Sequence, residues 1–173
     1  DAKGMLAEAI RDPDPVLFCE PLRGYRLIKD QVPDGDYTVA LGKARMVREG
    51  SDLVIVAYSA AVVVAEQVAE RAAVEGYSVG VLDLRSLVPL DVDALREAVA
   101  ACGRAVVLHE GSLTAGFGAE LVATIQEEAF WSLHAPIGRV AAPDTPYPPG
   151  MVEEHYVPSV ERVVAAVRAA MEA

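Results

Sequence analysis

Short runs of apolar residues alternate with helical patterns from residue 44 to residue 173. Runs that are apolar throughout predict strands buried on both faces, and strands that alternate with helices predict a parallel sheet covered by helices on each side. An alternating segment covers 44–48, the predicted strands cover 53–58, 78–83, 104–109 and 137–141, and the predicted helices cover 60–75, 91–101, 118–129 and 159–172. We therefore predict a three-layer α/β domain with a mostly parallel sheet over residues 44–173.

The first 43 residues lack this regular alternation. Residues 3–11 have helical spacing that Pro13 ends, and the apolar run 16–19 predicts a short buried strand. Residues 21–43 mix Asp, Gly, Pro and charged residues without sustained periodicity, which indicates an interdomain connector. We interpret residues 1–20 as the end of a preceding α/β domain, and the start at Asp-Ala-Lys-Gly, without an initiator Met, as the middle of a longer polypeptide.

Composition narrows the classes of function. The net charge of −11 at pH 7, from 26 acidic and 15 basic residues, argues against binding a nucleic acid, which needs clustered Lys and Arg. No apolar run reaches the roughly 18 residues of a membrane-spanning helix. The hydrophobic content of 53% is high for a monomer, so we expect part of the apolar surface to face a partner chain. Cys19 and Cys102 have no CxxC spacing and are expected to be buried free thiols in a reducing compartment.

Two carboxylates, Asp12 and Asp14, follow the end of the first predicted helix. The last carbonyls of a helix have no intrahelical partners and carry the negative end of the helix dipole. Together with these carbonyls, the two side chains form a cluster of hard oxygen ligands suited to a cation that prefers oxygen. The alternative is that Asp-Pro-Asp-Pro only stops the helix and turns the chain.

A glycine-rich loop, residues 114–120, opens a helix after the strand that ends at His109-Glu110. Helix N-termini bind anions, so a phosphate site is one interpretation, but the dinucleotide and P-loop fingerprints are absent. The alternative is tight packing of the helix on the strand, with Glu120 near the positive end of the dipole. His109 and Glu110 stand at the sheet edge where α/β proteins bind ligands, so they are either an acid–base pair or packed side chains.

Four prolines stand between residues 143 and 149. Proline fixes φ, so this segment is stiff and has little ordering entropy left to lose. We expect a surface segment that either lies across a partner or is a plain loop.

Taken in order, these segments resemble the beta subunit of the thiamine-diphosphate-dependent 2-oxo acid dehydrogenases of the branched-chain and pyruvate types. The resemblance covers essentially the whole chain and rests on residues 1–4, 9–15, 41–44, 83–91, 109–110, 116–120, 144–148 and 157–158. The segments 19–21 and 25–26 are closer to the branched-chain members. The chain length after the first domain and the pair Asp12 and Asp14 speak against the equivalent half of a transketolase or a deoxyxylulose-phosphate synthase.

The resemblance implies a transketolase C-terminal-like domain, preceded by the end of a domain that holds the aminopyrimidine of thiamine diphosphate. The family's cofactor-activating glutamate and active-site histidine belong to the upstream half, so the resemblance implies no catalytic and no cofactor-binding residue in this chain. It also implies pairing with a second beta subunit and with an alpha subunit that supplies the diphosphate and magnesium site. The compartment would be the bacterial cytoplasm or the mitochondrial matrix.

Two binding sites of the family can be compared with this sequence. The family holds a structural potassium ion with a backbone carbonyl at the end of this helix and with oxygens of two residues after it, which match Ala9, Asp12 and Asp14. Many members have Asn at the position of Asp14. Some pyruvate-type members hold the subunit-binding domain of the lipoyl acyltransferase with two acidic residues, and His134 and Gly138 stand at those positions here.

The resemblance implies that the parent enzyme decarboxylates a branched-chain 2-oxo acid, or alternatively pyruvate, and passes the acyl group to lipoyl-lysine. The chain by itself is expected to be inactive and to serve subunit assembly. A non-catalytic α/β dimerisation domain is the alternative from another class, because it accounts for the same patterns without the resemblance.

Overall fold

The computed structural model describes residues 1–22, 24–27, 29, 31–148 and 150–173, so Pro149 and the side chains of Arg26 and Leu27 lie outside the described residues. Its strands are β1 (Arg45–Arg48), β2 (Leu53–Ala57), β3 (Val79–Asp83), β4 (Ala105–Ser112) and β5 (Gly138–Ala142). They form one sheet in the order β1-β3-β2-β4-β5. The strands β2, β3, β4 and β5 run parallel to one another, and the edge strand β1 is antiparallel to β3. The mostly parallel sheet predicted from the sequence is confirmed.

Helices cover both faces of this sheet. The helices α3 (Ala61–Val74) and α7 (Val160–Glu172) pack on one face, and α4 (Val92–Cys102) and α5 (Phe117–Ala129) pack on the other. The remaining helices are α1 (Ala2–Arg11), α2 (Gly24–Leu27) and the short α6 (Glu153–Tyr156). Within the described part of the chain, no helix has the length and apolarity needed to cross a membrane. The architecture is the predicted three-layer α/β arrangement.

The central strand β2 shows why the pattern was apolar throughout. Leu53 and Ile55 point into the cluster formed with α3 and α7, while Val54 and Val56 point into the cluster formed with α4 and α5. None of these side chains is exposed. Full burial of a Val, Leu or Ile side chain is worth roughly 1.5–3 kcal/mol, so a strand with two buried faces needs an apolar residue at every position.

The apolar run 16–19 forms no strand, and its prediction as a buried strand is wrong. Leu17 is 90% exposed, and no described strand pairs with the run. A short apolar segment becomes a strand only when a neighbouring strand supplies hydrogen-bonding partners for its backbone. Cys19 is exposed, contrary to the prediction, whereas Cys102 is buried with its Sγ 3.3 Å from the Gly50 carbonyl oxygen.

The segment before the sheet packs on α1. Lys3 Nζ donates hydrogen bonds to the carbonyl oxygens of Pro33 (2.9 Å) and Gly35 (2.8 Å). Gly4 is buried against Tyr37 and Val39, and an added Cβ there would stand 2.5 Å from Val39 Cγ2. Part of the predicted connector is thus fastened to the first helix.

The loop between β3 and α4 holds the other end of this segment. Arg85 Nε donates to the carbonyl oxygen of Lys43 (2.9 Å), and its Nη2 donates to that of Ala44 (3.1 Å). Asp91 caps α4 by accepting from the Ala94 N–H (3.3 Å) and also accepts from the Ala44 N–H (3.1 Å). One buried carboxylate therefore satisfies both a helix end and the chain entering β1.

Replacement of Asp91 by Ala should lower the free energy of unfolding by about 1–2 kcal/mol, because it removes a helix cap and leaves the Ala44 N–H without its acceptor. Asp93→Ala is the matched control, since Asp93 is exposed on the first turn of the same helix and forms an exposed ion pair with Arg96. Urea unfolding measures both. An equal loss in the two variants would contradict the role assigned to Asp91.

The hydrogen bonds of Asp91 also predict that its contribution to the free energy of unfolding depends on pH. Burial alone raises the pKa of Asp91, but hydrogen bonds from the N–H groups of Ala44 and Ala94 and the charge of Lys43 outweigh it and lower the pKa overall. A carboxyl group with a lowered folded pKa stabilises the fold above its unfolded pKa of about 3.9, and this stabilisation is lost as the pH falls through the folded value. The difference in unfolding free energy between the wild type and Asp91→Ala should therefore shrink below about pH 4. A difference that grows on acidification would contradict this.

Candidate functional site

The carboxyl ends of β2 and β4 form the point of the sheet where the strand order reverses. The chain leaves β2 for β3 on one side and then returns to β4 on the other side of β2. Open α/β sheets usually bind ligands in the crevice at such a point. Aromatic rings collect there, because Tyr58 follows β2, His109 lies in β4 and Phe117 begins α5. This edge is therefore the first candidate for a binding site.

The protein's own rings occupy this edge. Tyr58 stacks on His109 with ring centroids 6.1 Å apart and an interplanar angle of 18°. Phe117 meets Tyr58 edge-on, again with 6.1 Å between the centroids. His109 is only 1% exposed, so its ring belongs to the core and does not face an open crevice.

The protonation state of His109 follows from these surroundings. Its Nδ1 accepts a hydrogen bond from the Gly111 N–H (3.1 Å), which assigns the ring hydrogen of the neutral form to Nε2. Burial, and after it the charge of Arg139, lowers the pKa of His109. Burial and the charge of Glu110 raise the pKa of Tyr58. Both shifts favour the neutral forms of the two rings, and both rings pack against each other at this edge.

The glycine-rich loop brings α5 close to β4. A Cβ added at Gly118 would stand 2.2 Å from His109 Nε2, and one added at Gly116 would stand 2.1 Å from the Ser112 carbonyl oxygen. Neither position has room for a side chain, so the helix start can approach the strand only because these residues are glycines. Of the two interpretations of this loop, the geometry supports tight packing of the helix on the strand and not a phosphate site.

Asp144 ties the start of the proline-rich segment to the same loop. One of its carboxylate oxygens accepts from the Thr114 N–H (2.8 Å) and the other accepts from the Thr114 hydroxyl (2.5 Å). These two hydrogen bonds are the largest influences on Asp144 and lower its pKa. An internal carboxylate therefore takes the Thr114 N–H that a bound anion would otherwise need.

The second candidate is the cation site at the end of α1, where Asp12 caps the helix. The carbonyl of Ala9 would normally accept from residue 13, but Pro13 has no N–H, so this oxygen has no helical donor. Asp14 N–H donates to Asp12 Oδ1 (2.9 Å), which keeps the two exposed residues side by side. Within the described residues, no group of three or more His, Cys, Asp or Glu side chains is arranged to hold a metal. The residues present fit an oxygen-seeking ion that takes backbone carbonyls and at most two carboxylates.

The third candidate lies at the opposite, amino-terminal edge of the sheet. His134 is exposed, and its backbone N–H donates to the carbonyl oxygen of Gly103 at 2.7 Å. Gly138 begins β5 and is half-buried against Val106. Beside them stands Trp131, which is 95% exposed and which the sequence pattern did not single out. The only feature of the sequence that could have indicated Trp131 is the aromatic pair Phe130-Trp131 directly after an amphipathic helix. Such a pair is more often part of a core.

The family of this α/β domain follows from comparison with known proteins. The family model described as transketolase, C-terminal domain, matches residues 42–163. The chain belongs to this family. The matched region of the transketolase C-terminal domain starts at Gly42, next to the two residues whose carbonyls Arg85 binds, and it includes all strands of the described sheet.

Similarity to individual proteins extends beyond the transketolase C-terminal domain itself. The chain is 42% identical over 172 residues to the pyruvate dehydrogenase E1 component subunit beta of Staphylococcus aureus (strain Mu50 / ATCC 700699), covering 99% of this chain and 53% of that protein. It is 43% identical over the same length to the protein of that name from Bacillus subtilis (strain 168), with the same coverage. The chain thus spans about half the length of the curated relatives it matches. The resemblance to these beta subunits is confirmed.

Solved structures agree on the transketolase C-terminal fold. A structure described as split gene transketolase, inactive beta4 tetramer, matches with a TM-score of 0.69 and 28% identity, covering 83% of this chain and 46% of that one. A 2-oxoglutarate:ferredoxin oxidoreductase from Magnetococcus marinus matches with a TM-score of 0.52 and 17% identity, covering 75% of this chain and 19% of that one. The second match shows the fold alone.

Replacement of Gly118 by Ala should destabilise the domain by about 1–3 kcal/mol, because the new methyl group overlaps the buried His109 ring. Ala is otherwise favoured over Gly within a helix by roughly 0.8–1 kcal/mol, so a net loss must come from the overlap. In a His109→Ala background the same replacement should cost little or should stabilise. Gly150→Ala is the control, since an added Cβ there meets nothing within 4 Å. Thermal unfolding gives the comparison, and an unchanged cost without the His109 ring would contradict the assignment.

Proposed function

We propose that this chain is part of the beta subunit of a 2-oxo acid dehydrogenase. The observation that carries the proposal is the identity of 42% with pyruvate dehydrogenase beta subunits through 172 residues. The parent enzyme would decarboxylate a 2-oxo acid and transfer the acyl group to lipoyl-lysine, in the bacterial cytoplasm or, alternatively, the mitochondrial matrix. Thiamine diphosphate would supply the carbon–carbon cleavage, held by the upstream half of the beta subunit and by an alpha subunit that provides the diphosphate and magnesium site.

The contribution of this chain would be assembly. His109 is buried and stacked on Tyr58, so among the described residues of the sheet edge its ring is not placed to face a substrate. Large apolar side chains stand exposed in the first 22 residues: Leu6, Ile10, Val16, Leu17 and Leu22. Exposed apolar groups that gather on one part of a chain mark interfaces. We assign this part to contacts with the alpha subunit and a second beta subunit.

Both a branched-chain 2-oxo acid and pyruvate have support as the substrate of the parent enzyme. Residues 19–21 and 25–26 favour a branched-chain 2-oxo acid by resemblance, whereas the curated relatives described above are named for pyruvate. We give pyruvate the greater weight, because identity along 99% of the chain is broader support than two short segments.

The activity is tested by co-expressing the parent beta chain that contains these residues with its alpha chain. The assembly should reduce an artificial dye acceptor in the presence of thiamine diphosphate, magnesium and either pyruvate or 3-methyl-2-oxobutanoate, and kcat/KM for the two acids ranks them. The 173-residue chain alone should show no turnover. Turnover by this chain alone would contradict the assembly role, and an inactive but correctly assembled complex would contradict the proposed activity.

A structural potassium ion at Ala9, Asp12 and Asp14 is a further part of the proposal. The Ala9 carbonyl has no helical donor, and Asp12 and Asp14, which follow it two residues apart, are exposed. A cation bound by both carboxylates would reduce the repulsion between their charges. In the parent enzyme, other ligands would come from residues outside this chain.

Asp12→Ala in the parent enzyme should weaken the rise of the thermal midpoint on adding potassium chloride, because an ion bound only by the folded state stabilises it by mass action. Asp34→Ala removes the same charge from an exposed position nearby and serves as the control. Tetramethylammonium chloride keeps the ionic strength constant during the titration. If the wild type and both variants respond equally, Asp-Pro-Asp-Pro is only a helix stop.

A non-catalytic dimerisation domain remains the second candidate function. The specific observation in its favour is the match to a split transketolase structure whose description is an inactive beta4 tetramer. Sedimentation of this chain together with the dye assay separates the two candidates, because only the first predicts activity once an alpha chain is present.

A further inference from the structure

Helix α1 is held on the domain with little apolar burial of its own. Of its ten residues only Gly4 is buried, whereas Leu6 is 40% exposed and Ile10 is 76% exposed. A helix of this length is marginal in water, because fixing its first turn costs free energy that a few hydrogen bonds barely offset. Polar contacts with the rest of the chain must therefore contribute to keeping α1 helical.

Asp1, the residue before α1, stands between two arginines of the domain. Its Oδ1 accepts a hydrogen bond from Arg85 Nη1 (3.2 Å), and its Oδ2 lies 3.1 Å from Arg45 Nη1. We call these three residues the Asp1 triad. The Asp1 side chain makes no capping hydrogen bond to α1, so its carboxylate serves the two arginines instead. Because Arg45 lies in β1 and Arg85 lies in the loop after β3, the triad joins the start of α1 to two parts of the sheet.

Arg85 places a nearly buried positive charge beside Asp1. Its side chain is 12% exposed, and its remaining donors reach the backbone carbonyl oxygens of Lys43 and Ala44. Its φ of +56° lies in the left-handed region, where a residue with a side chain stays only when its surroundings hold it. The backbone N–H of Arg85 donates to Asp83 Oδ1 (3.0 Å), which helps to hold it. Loss of the Asp1 carboxylate would leave the guanidinium with less compensation for its lost hydration.

Charged side chains also fasten α1 to the segment 33–39, which leads into β1. Lys3, whose Nζ binds two backbone carbonyl oxygens of this segment, also lies 5.0 Å from the centroid of the Tyr37 ring. At the other end of the helix, Arg11 Nη2 donates to both carboxylate oxygens of Asp36 (2.9 and 2.7 Å). The contacts of α1 with the rest of the chain are therefore largely electrostatic, and they lie at both of its ends.

We propose that α1 is fastened to the domain by a latch of charged contacts centred on the Asp1 triad, and that it opens and loses its helix while the five-stranded sheet stays folded. Local opening is expected where few apolar side chains are buried, whereas every residue of β2 is buried. Leu6 and Ile10 are four residues apart and share one face of the closed helix. The latch thus decides whether the chain presents them on a fixed surface. The proposal does not need the decarboxylase activity.

Hydrogen exchange of the 173-residue chain, followed by mass spectrometry of its peptides, tests the latch. Asp1→Asn should accelerate exchange of the α1 amides about threefold to tenfold and leave β2 and β4 unchanged, because the variant removes one charge and no capping bond. Asn is also as good a residue as Asp at a helix N-cap. Unchanged exchange in α1, or an equal acceleration in β2 and β4, would overturn the proposal.

Variants of the arginines separate the triad from a general effect of charge on the helix. Arg85→Lys should accelerate exchange in α1, because Lys lacks the planar fork that reaches three acceptors. Arg168→Lys is the matched control, since Arg168 forms a forked pair with Glu75 between α7 and α3, and it should leave α1 unchanged. Asp1→Asn should have a smaller effect in an Arg45→Gln background than in the wild type. An equal effect in both backgrounds would mean that the carboxylate acts on the helix dipole alone, and would overturn the triad.

Salt provides a second test of the latch. Raising sodium chloride from about 0.01 M to about 1 M shortens the Debye length from about 30 Å to about 3 Å and weakens ion pairs that water reaches. Exchange of the wild-type α1 amides should therefore accelerate relative to β2, and it should accelerate less in Asp1→Asn. Exchange in α1 that does not depend on salt in the wild type would overturn the proposal, because its contacts would then not be electrostatic.

Discussion

The complete burial of β2 is the constraint on which the rest of the structure depends. Each residue of Leu53–Ala57 is fully buried, so its backbone groups pair with β3 on one side and β4 on the other, and each face needs its own layer of helices. The chain places β3 on one side of β2 and β4 on the other, with helices connecting the strands across both faces of the sheet. That arrangement creates a crevice at one edge of the sheet and gathers helix ends at the other.

The crevice that the fold creates is used for internal packing. Tyr58, His109 and Phe117 occupy it, and Gly118 permits the contact because no side chain fits between α5 and the His109 ring. Burial lowers the pKa of His109 and keeps its imidazole ring away from solvent. At this edge the described side chains therefore pack against one another, which agrees with the assembly role proposed for the chain.

The sequence predicted the strands and helices that depend on local periodicity. It did not predict features that depend on residues far away in the sequence. The strands and helices after residue 44 were predictable because buried strands are apolar throughout. The antiparallel direction of β1 was not, since an alternating pattern does not specify its neighbour. Residues 16–19 have the composition of a strand but no strand beside them. At the candidate sites, the glycine loop indicated close packing, but only the fold identifies His109 as the side chain that Gly118 accommodates. Trp131 was overlooked, because an aromatic residue after an amphipathic helix has the pattern of a core.

The charge of the amino-terminal edge follows from topology as much as from composition. In a parallel sheet with helical crossovers, helices run opposite to the strands, so α3, α4, α5 and α7 all end at the edge where the strands begin. Of these four described helices, only α3 has a basic residue in its last turn, and that residue, Arg71, lies within ion-pair distance of Glu161. Three helix dipoles therefore end there without a cation from their own last turn. A partner at the crevice edge would face no such field, so the fold itself gives its two edges different preferences for the charge of a partner.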